Sequence, residues 1–235
     1  MTQICVVSPK CTSKSAKWLA SSLGADYINP YKKDKYDFTE YKSVINYGFS
    51  GLFKAKSVIN HPNAIQRVVD KTFTFKCLDG LCRIPKWTVD PDVASMWVLD
   101  GHIVVCRALK SSNNSKGIVF ATTQEELVLS KFYTLYVDHK AEYRVNVFKG
   151  KVISVLEKTN NGDGQFKFKL IRKPKYTFKN FIQAIESQIG LDLYGMDILL
   201  GYDGKLTLLE VNSGPAMFGQ TAVQMLSAVK KEVLA

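Results

Sequence analysis

The stretch "GMDILLGYDGKLTLLEVNSGP" (residues 195–215) constrains this chain more than any other. Two aliphatic runs flank a polar turn, the pattern of paired antiparallel strands, with Asp203-Gly204 as a two-residue turn. That turn would set Asp197 opposite Glu210 and Gly195 opposite Asn212. Directly opposed side chains lie about 4.5–5.5 Å apart at Cβ, where like charges repel. Something positive must therefore sit between the acids, or the register is different. Asn212 points to the same face as Glu210, and Gly195 leaves room beside it. Two carboxylates and an amide oxygen then converge, a hard-oxygen set suited to Mg2+, which takes oxygens at ~2.0–2.1 Å and shares them with nucleotide phosphates. The plainer alternative leaves both acids in water at strand ends.

The rest of the chain is compatible with a catalytic body. Its 235 residues, 46% of them hydrophobic, allow one domain or two small ones with a buried core. No apolar run approaches the ~18 residues of a membrane helix, and "MTQICVVSPK" lacks the pattern of a signal peptide, so a cytoplasmic protein with no membrane partner is expected. Five cysteines without a CxxC pair and three scattered histidines suggest neither a disulfide framework nor a zinc or metal-histidine site. The formal net charge of +11 suits an anionic partner: nucleotide, nucleic acid or acidic polypeptide.

"ICVVS", a helix capped by Ser13 and stopped by Gly24, and "SVINYG" form a short α/β unit. A helix is expected over "NHPNAIQRVVDKTFTFKCLDG", with Ile65, Val68 and Val69 inward and Gly80 ending it. "CRIPKWTV", "GHIVVCRAL" and "KGIVFA" read as strands, the last two flanking "KSSNNS", and "TQEEL" as a short helix. "FYTLYV", "EYRVNVFKGKVISVLEKT" and "QFKFKLIRK" are strand-like, with a turn at Lys149-Gly150. "TFKNFIQAIESQIG" is helical, burying Phe178, Phe181, Ile182, Ile185 and Ile189, and a last helix starts near Gln220. In "QFKFKLIRKPKY" the alternation assigns Phe166, Phe168 and Leu170 to a core and the lysines to solvent.

The terminal hairpin resembles the metal hairpin of ATP-grasp proteins, a Gly-x-Asp strand followed by Glu-Val-Asn and a Gly/Pro loop. It is most similar to the small carboxylate-amine ligases related to the ribosomal-protein glutamate ligase and their compact bacteriophage relatives. The resemblance covers residues 43 to 225 or so. It implies an α/β fold of two grasping lobes behind a short Rossmann-like unit, divided as 1–55, 56–128 and 129–235. ATP and Mg2+, with Mn2+ as a substitute, are the implied cofactors, the metal resting on Asp197, Glu210 and Asn212. The implied nucleotide set is Lys71 in "DK", Arg107 in "IVVCRAL" on the α-phosphate, Lys116 and Gly117 in the phosphate-covering loop, backbone groups of Tyr136 and Val137 on adenine, and Glu142 on the ribose. Arg144 and Lys158 would meet the γ-phosphate or the substrate carboxylate; solvated strand faces and, for Lys71, a helix surface are the plain alternatives.

Three departures stand out. "KSSNNSKG" has only Gly117 where relatives have several glycines. Gly195 stands where many relatives place an arginine for the reacting oxyanion, leaving Arg144 and Arg172 as alternatives. "SGPAMFG" has alanine where glycine often follows the proline. The implied reaction is attack of a carboxylate on the γ-phosphate and capture of the acyl phosphate by an amine, driven by positioning and charge neutralisation. Donor and acceptor are small molecules or polypeptides, and the net charge favours an acidic amino acid or peptide. A kinase on the same scaffold and a basic nucleic-acid-binding module are the rivals, the latter weakened by the core reading of the phenylalanines.

Overall fold

The computed structural model describes residues 3–33, 36–107, 117–160 and 166–234. The first layer is β1 (Ile4–Val7), α1 (Lys14–Leu23), β2 (Asp26–Ile28), α2 (Pro30–Lys33), β3 (Ser43–Asn46) and β4 (Val58–Ile59), forming a parallel sheet in the order β2-β1-β3-β4. Ser13 caps α1 by accepting from the Ala16 amide, and Gly24 ends it in the left-handed conformation at φ 62°. The chain leaves β1 toward β2 and returns on its other side as β3. The carboxyl ends of β1 and β3 therefore bound a topological switch point, where open α/β sheets form crevices.

Next come α3 (Pro62–Val69) and α4 (Lys71–Leu78). The single helix expected here is broken at Asp70, whose side chain accepts from the Thr72 and Phe73 amides and starts a new helix. The break turns Val69 outward, 43% exposed, against the expected inward position. Then follow β5 (Trp87–Thr88), α5 (Pro91–Leu99), β6 (Val104–Arg107), β7 (Ile118–Ala121) and β8 (Tyr133–Leu135), an antiparallel sheet ordered β5-β8-β6-β7. "TQEEL" forms a turn rather than a helix, because the Glu126 carboxylate accepts from the Thr122 hydroxyl and from the Thr122 and Thr123 amides.

The last layer holds β9 (His139–Phe148), β10 (Lys151–Asn160), β11 (Phe166–Leu170), α6 (Lys179–Gln188), β12 (Leu193–Gly201), β13 (Leu206–Asn212) and α7 (Gly219–Val233). Its five antiparallel strands run β11-β10-β9-β12-β13. Val145, Val147, Val155, Met196, Ile198, Leu208 and Val211 pack on α6 and α3 to make the main core. A second core joins α1 and α7 to Phe148 and Leu193, so the parallel layer is fixed to one end of the large sheet. Asn60, at φ 64°, clamps this junction: its amide bonds the Leu193 and Ser213 carbonyls and accepts from the Asp192 and Leu193 amides. Among the described residues no helix is long and apolar enough to cross a membrane.

Candidate active site on the cleft face of the large sheet

Opposite the main core, alternate residues of the same strands form three cross-strand rows. The first is Phe168, Lys158, Glu142, Leu199 and Thr207. The second is Leu170, Leu156, Arg144, Asp197 and Glu210, and the third is Ser154, Asn146, Gly195 and Asn212. Asp197 thus faces Glu210 as expected, but by another route. The turn has three residues, with the Gly204 amide bonded to the Gly201 carbonyl and Gly204 at φ 75°. A bulge at Leu209 then restores the pairing, since Ile198 opposes Leu208 while Asp197 opposes Glu210.

The positive charge required beside these acids is present. Arg144, directly across from Asp197 on β9, grips it through Nε and Nη2, the latter at 2.8 Å. Lys71 reaches Glu210 at 2.8 Å, its side chain only 12% exposed, so it is a cleft lysine rather than a helix-surface one. The break at Asp70 is what starts α4 at Lys71 and sends it inward. Lys158 binds both oxygens of Glu142 at 2.7 and 2.8 Å. For Arg144, burial is the largest influence and opposes its charge, yet Asp197, with Glu210 and Glu142, outweighs it and holds the guanidinium above its ordinary value.

Arg107 differs. It ends β6, is 9% exposed, and its Nε has no partner among the described residues. Burial pulls its pKa below the ordinary arginine value, with only the attraction of Glu210 opposing. A buried guanidinium so poorly compensated favours an anion beside it. The oxygen donors fit a hard cation: Asp197, Glu210 and Asn212 supply carboxylates and an amide, and ion-paired carboxylate oxygens keep further lone pairs. Among the described residues no group of three His, Cys, Asp or Glu side chains makes a metal cage of its own. A cation here would share its shell with phosphates.

Between β8 and β9 the Tyr136 amide donates to the Ile103 carbonyl and the Val137 carbonyl accepts from His139. The Tyr136 carbonyl and the Val137 amide have no backbone partner among the described residues and lie beside a cleft of about 430 Å3 that also holds Lys86 and Thr207, whose buried hydroxyl has no partner among the described residues. Gly117 adopts φ 75° at the start of β7. Lys116 and the "KSSNNS" loop lie outside the described residues. Arg172 is exposed beyond β11. The room expected beside Gly195 is filled: a Cβ there would lie 3.0 Å from Pro215 Cβ, 3.3 Å from Asn146 Oδ1 and 3.5 Å from Arg144 Cδ.

The phenylalanine alternation also ends elsewhere than expected. Phe168 is half-buried, holds its ring centroid 5.7 Å from the Arg144 guanidinium carbon and contacts Phe218; with Leu170 it lies on the face of the sheet that carries Arg144 instead of joining the main core. The Phe166 side chain lies outside the description. Lys167 and Lys169 are exposed as expected.

Sequence reasoning missed one wall of the site. A cleft of about 310 Å3 joins Lys71, Glu210, Asn212 and Gly214 to Ser8, Lys10, Ser13 and Gly48 at the switch point of the parallel layer. A strand, a polar loop and a capped helix in "ICVVSPKCTS" carried that signal.

No protein-family model and no curated protein sequence matches the chain. Solved structures do. The ATP-grasp ligase PsnB, complexed with a minimal precursor, Mg and ADP, matches at TM-score 0.73 and 15% identity over 100% of this chain and 97% of that one. A RimK domain ATP-grasp protein from Sphaerobacter thermophilus matches at 0.74 and 10% over 100% of both chains. The macrocyclase MdnC from Microcystis aeruginosa, bound with precursor peptide MdnA, matches at 0.70 and 11%, also over 100% of both. The chain has the ATP-grasp fold, with a parallel α/β layer at one end.

Proposed function

We propose that this chain is an ATP-dependent carboxylate-amine ligase that works through an acyl phosphate. One observation carries the reading most directly: a buried Arg107, whose Nε has no partner among the described residues, lies within electrostatic reach of Glu210, which stands on the row where Asp197 and Arg144 pair. That is a site for a phosphate chain with its charge neutralised from both sides. Asp197, Glu210 and Asn212 would hold Mg2+ (or Mn2+), which would supply neutralisation of phosphate charge when bound. Lys71 and Arg107 bind the phosphates, the Tyr136 carbonyl and Val137 amide read adenine, Glu142 faces the ribose, and Lys158 holds Glu142 in place. Lys116 and Gly117 belong to the covering loop.

In the ligase reading the lobes are residues 56–128 and 129–235, with 1–55 as the reduced front unit, and the reaction runs in the cytoplasm. The donor is an acidic amino acid or peptide and enters the cleft at Lys10 and Gly48. PsnB complexed with precursor peptide PsnA2, and MdnC bound with precursor peptide MdnA, support a polypeptide substrate for a chain of this size. The test is incubation with ATP, Mg2+ and pooled amino acids and peptides, read by mass spectrometry. An amide with ADP and phosphate supports the ligase; a stable phosphoester with ADP identifies a kinase instead. Turnover stimulated by neutral donors alone would remove the acidic preference.

A further inference from the structure

The core side of the large sheet is not closed everywhere. Where the chain passes from β11 to α6, two hollows open that share Tyr176 as a wall. The first, about 310 Å3, has an apolar floor of Tyr143, Val155, Ile171 and Phe178, with Lys173 and Lys175 exposed at its rim. The second, about 630 Å3, lies between Cys82, Phe181 on α6 and Leu206 on β13, with Arg83 and Lys205 exposed beside them. Both volumes fall in the range of about 300–1,000 Å3 typical of binding pockets. Tyr143 stands between Glu142 and Arg144 on β9 and points the opposite way, so the hollows and the reaction cleft lie on opposite faces of one sheet.

The rim is positive and unanswered. From Phe166 to Lys179 the chain carries six lysines and arginines and no acid. Among the described residues no acid lines either hollow, and Lys173, Lys175 and Lys205 form no ion pair. Asp203, nearby, is held by Arg83 at 2.7 Å. α6 begins at the second hollow with Phe178, which has no side chain to cap it, so amides of its first turn add to the positive potential. An apolar floor ringed by free cations calls for a partner that brings apolar side chains and carboxylates together. A single small anion would leave the floors empty. A nucleic-acid strand would need open aromatic faces for stacking, whereas Tyr176 is half-buried between the hollows, its ring centroid 6.2 Å from that of Tyr143.

We propose that this double hollow is a docking surface for an acidic polypeptide segment. Aliphatic or aromatic side chains of the segment sit on either side of Tyr176, and its carboxylates meet Lys173, Lys175 and Lys205. The partner is thereby held while the cleft at Arg144 and Asp197 stays free. The inference does not depend on the ligase reading, since the surface is separate from whatever reaction the cleft performs.

The test uses a short fluorescein-labelled peptide alternating glutamate with leucine and phenylalanine, its binding to the full chain read by fluorescence anisotropy. Affinity should be the same with and without Mg·AMPPNP. Lys173→Glu with Lys175→Glu should weaken binding at least about tenfold. Lys230→Glu with Lys231→Glu, the same change of charge in the last turn of α7, should weaken it less than about threefold. Tyr176→Ala should cost about tenfold and Tyr176→Phe almost nothing, because the ring is the shared wall. A peptide with alanine in place of leucine and phenylalanine should also bind at least about tenfold more weakly. Circular dichroism and the unfolding midpoint restrict the comparison to folded variants, and the lysine pairs, being exposed, decide the matter if Tyr176→Ala does not fold. Equal losses in the two lysine pairs would reduce the effect to net charge. An alanine peptide that binds as well would leave the hollows without a role, and displacement by Mg·AMPPNP would place the peptide in the cleft. An oligothymidylate that binds more tightly and loses as much in Lys173→Glu with Lys175→Glu would give the surface to nucleic acid. Any one of these results, or no binding at all, would overturn the proposal.

Discussion

Along β9, Tyr143, Val145 and Val147 face one side of the large sheet while Glu142, Arg144 and Asn146 face the other. The first set packs on α6 beside Met196 and Ile198, with Val145 and Val147 sealed from water and Tyr143 partly buried. The second meets Asp197, Lys158 and, one strand further, Glu210. The same strands thus carry an apolar surface, where burial supplies stability, and a charged one, where every acid is answered by a base. The charged face is a poor source of stability for the area it covers, since desolvation offsets most of what ion pairing returns. Substitutions on the two faces should therefore fail in opposite ways.

The largest separation is expected at the second row. Glu210→Gln should lower Mg-dependent ATP turnover by about 10³-fold or more while leaving the thermal unfolding midpoint nearly unchanged, because it removes a carboxylate from the charged face only. On the other face, Ile198→Ala empties a fully buried site and should cost about 2–5 kcal/mol of folding stability, with the remaining folded protein keeping its nucleotide affinity. Unchanged turnover in the first variant, or lost nucleotide affinity in the folded fraction of the second, would break the division. Arg107→Met sharpens it further. Nucleotide binding should weaken by about 10- to 100-fold as charge-assisted hydrogen bonds to phosphate are lost. The midpoint should rise, because a buried guanidinium with an unsatisfied Nε is replaced by an apolar side chain of similar length. A falling midpoint would mean that Arg107 is better paired than its surroundings indicate.

How much of this was legible in the sequence follows the same division. The main core is written in period-two and period-3.6 patterns, so β9, β10, β12 and the apolar face of α6 could be read directly. The Asp197–Glu210 pairing was reached through two offsets that cancel, a longer turn and a bulge at Leu209, neither visible in local composition. The helix break at Asp70 was hidden because the apolar period continues across it, while the residue's capping chemistry competes only locally. The partners of the acids are a long-range matter: Arg144 and Asp197 are 53 residues apart, and only sheet order brings them together. β2, β4 and α5 escaped notice, the strands because two or three residues carry no period and α5 because "PDVASMWVL" is apolar nearly all round.

The smallest effect concerns Cys82, half-buried against the core-face cluster. Burial pushes its thiol up to about 11. The group is therefore neutral below that pH, and at pH 8 only about one molecule in a thousand carries the reactive thiolate. Alkylation of Cys82 by iodoacetamide, mapped by peptide mass spectrometry, should rise roughly tenfold per pH unit up to about pH 11. At fixed pH it reports on the packing of one face alone. Ile198→Ala, by loosening the apolar side, should raise the rate through local opening, whereas Glu210→Gln should leave it as in the wild type. Equal acceleration in both variants would show that the two faces of the sheet yield together, and that chemistry and stability are not separated by the thickness of one layer of strands.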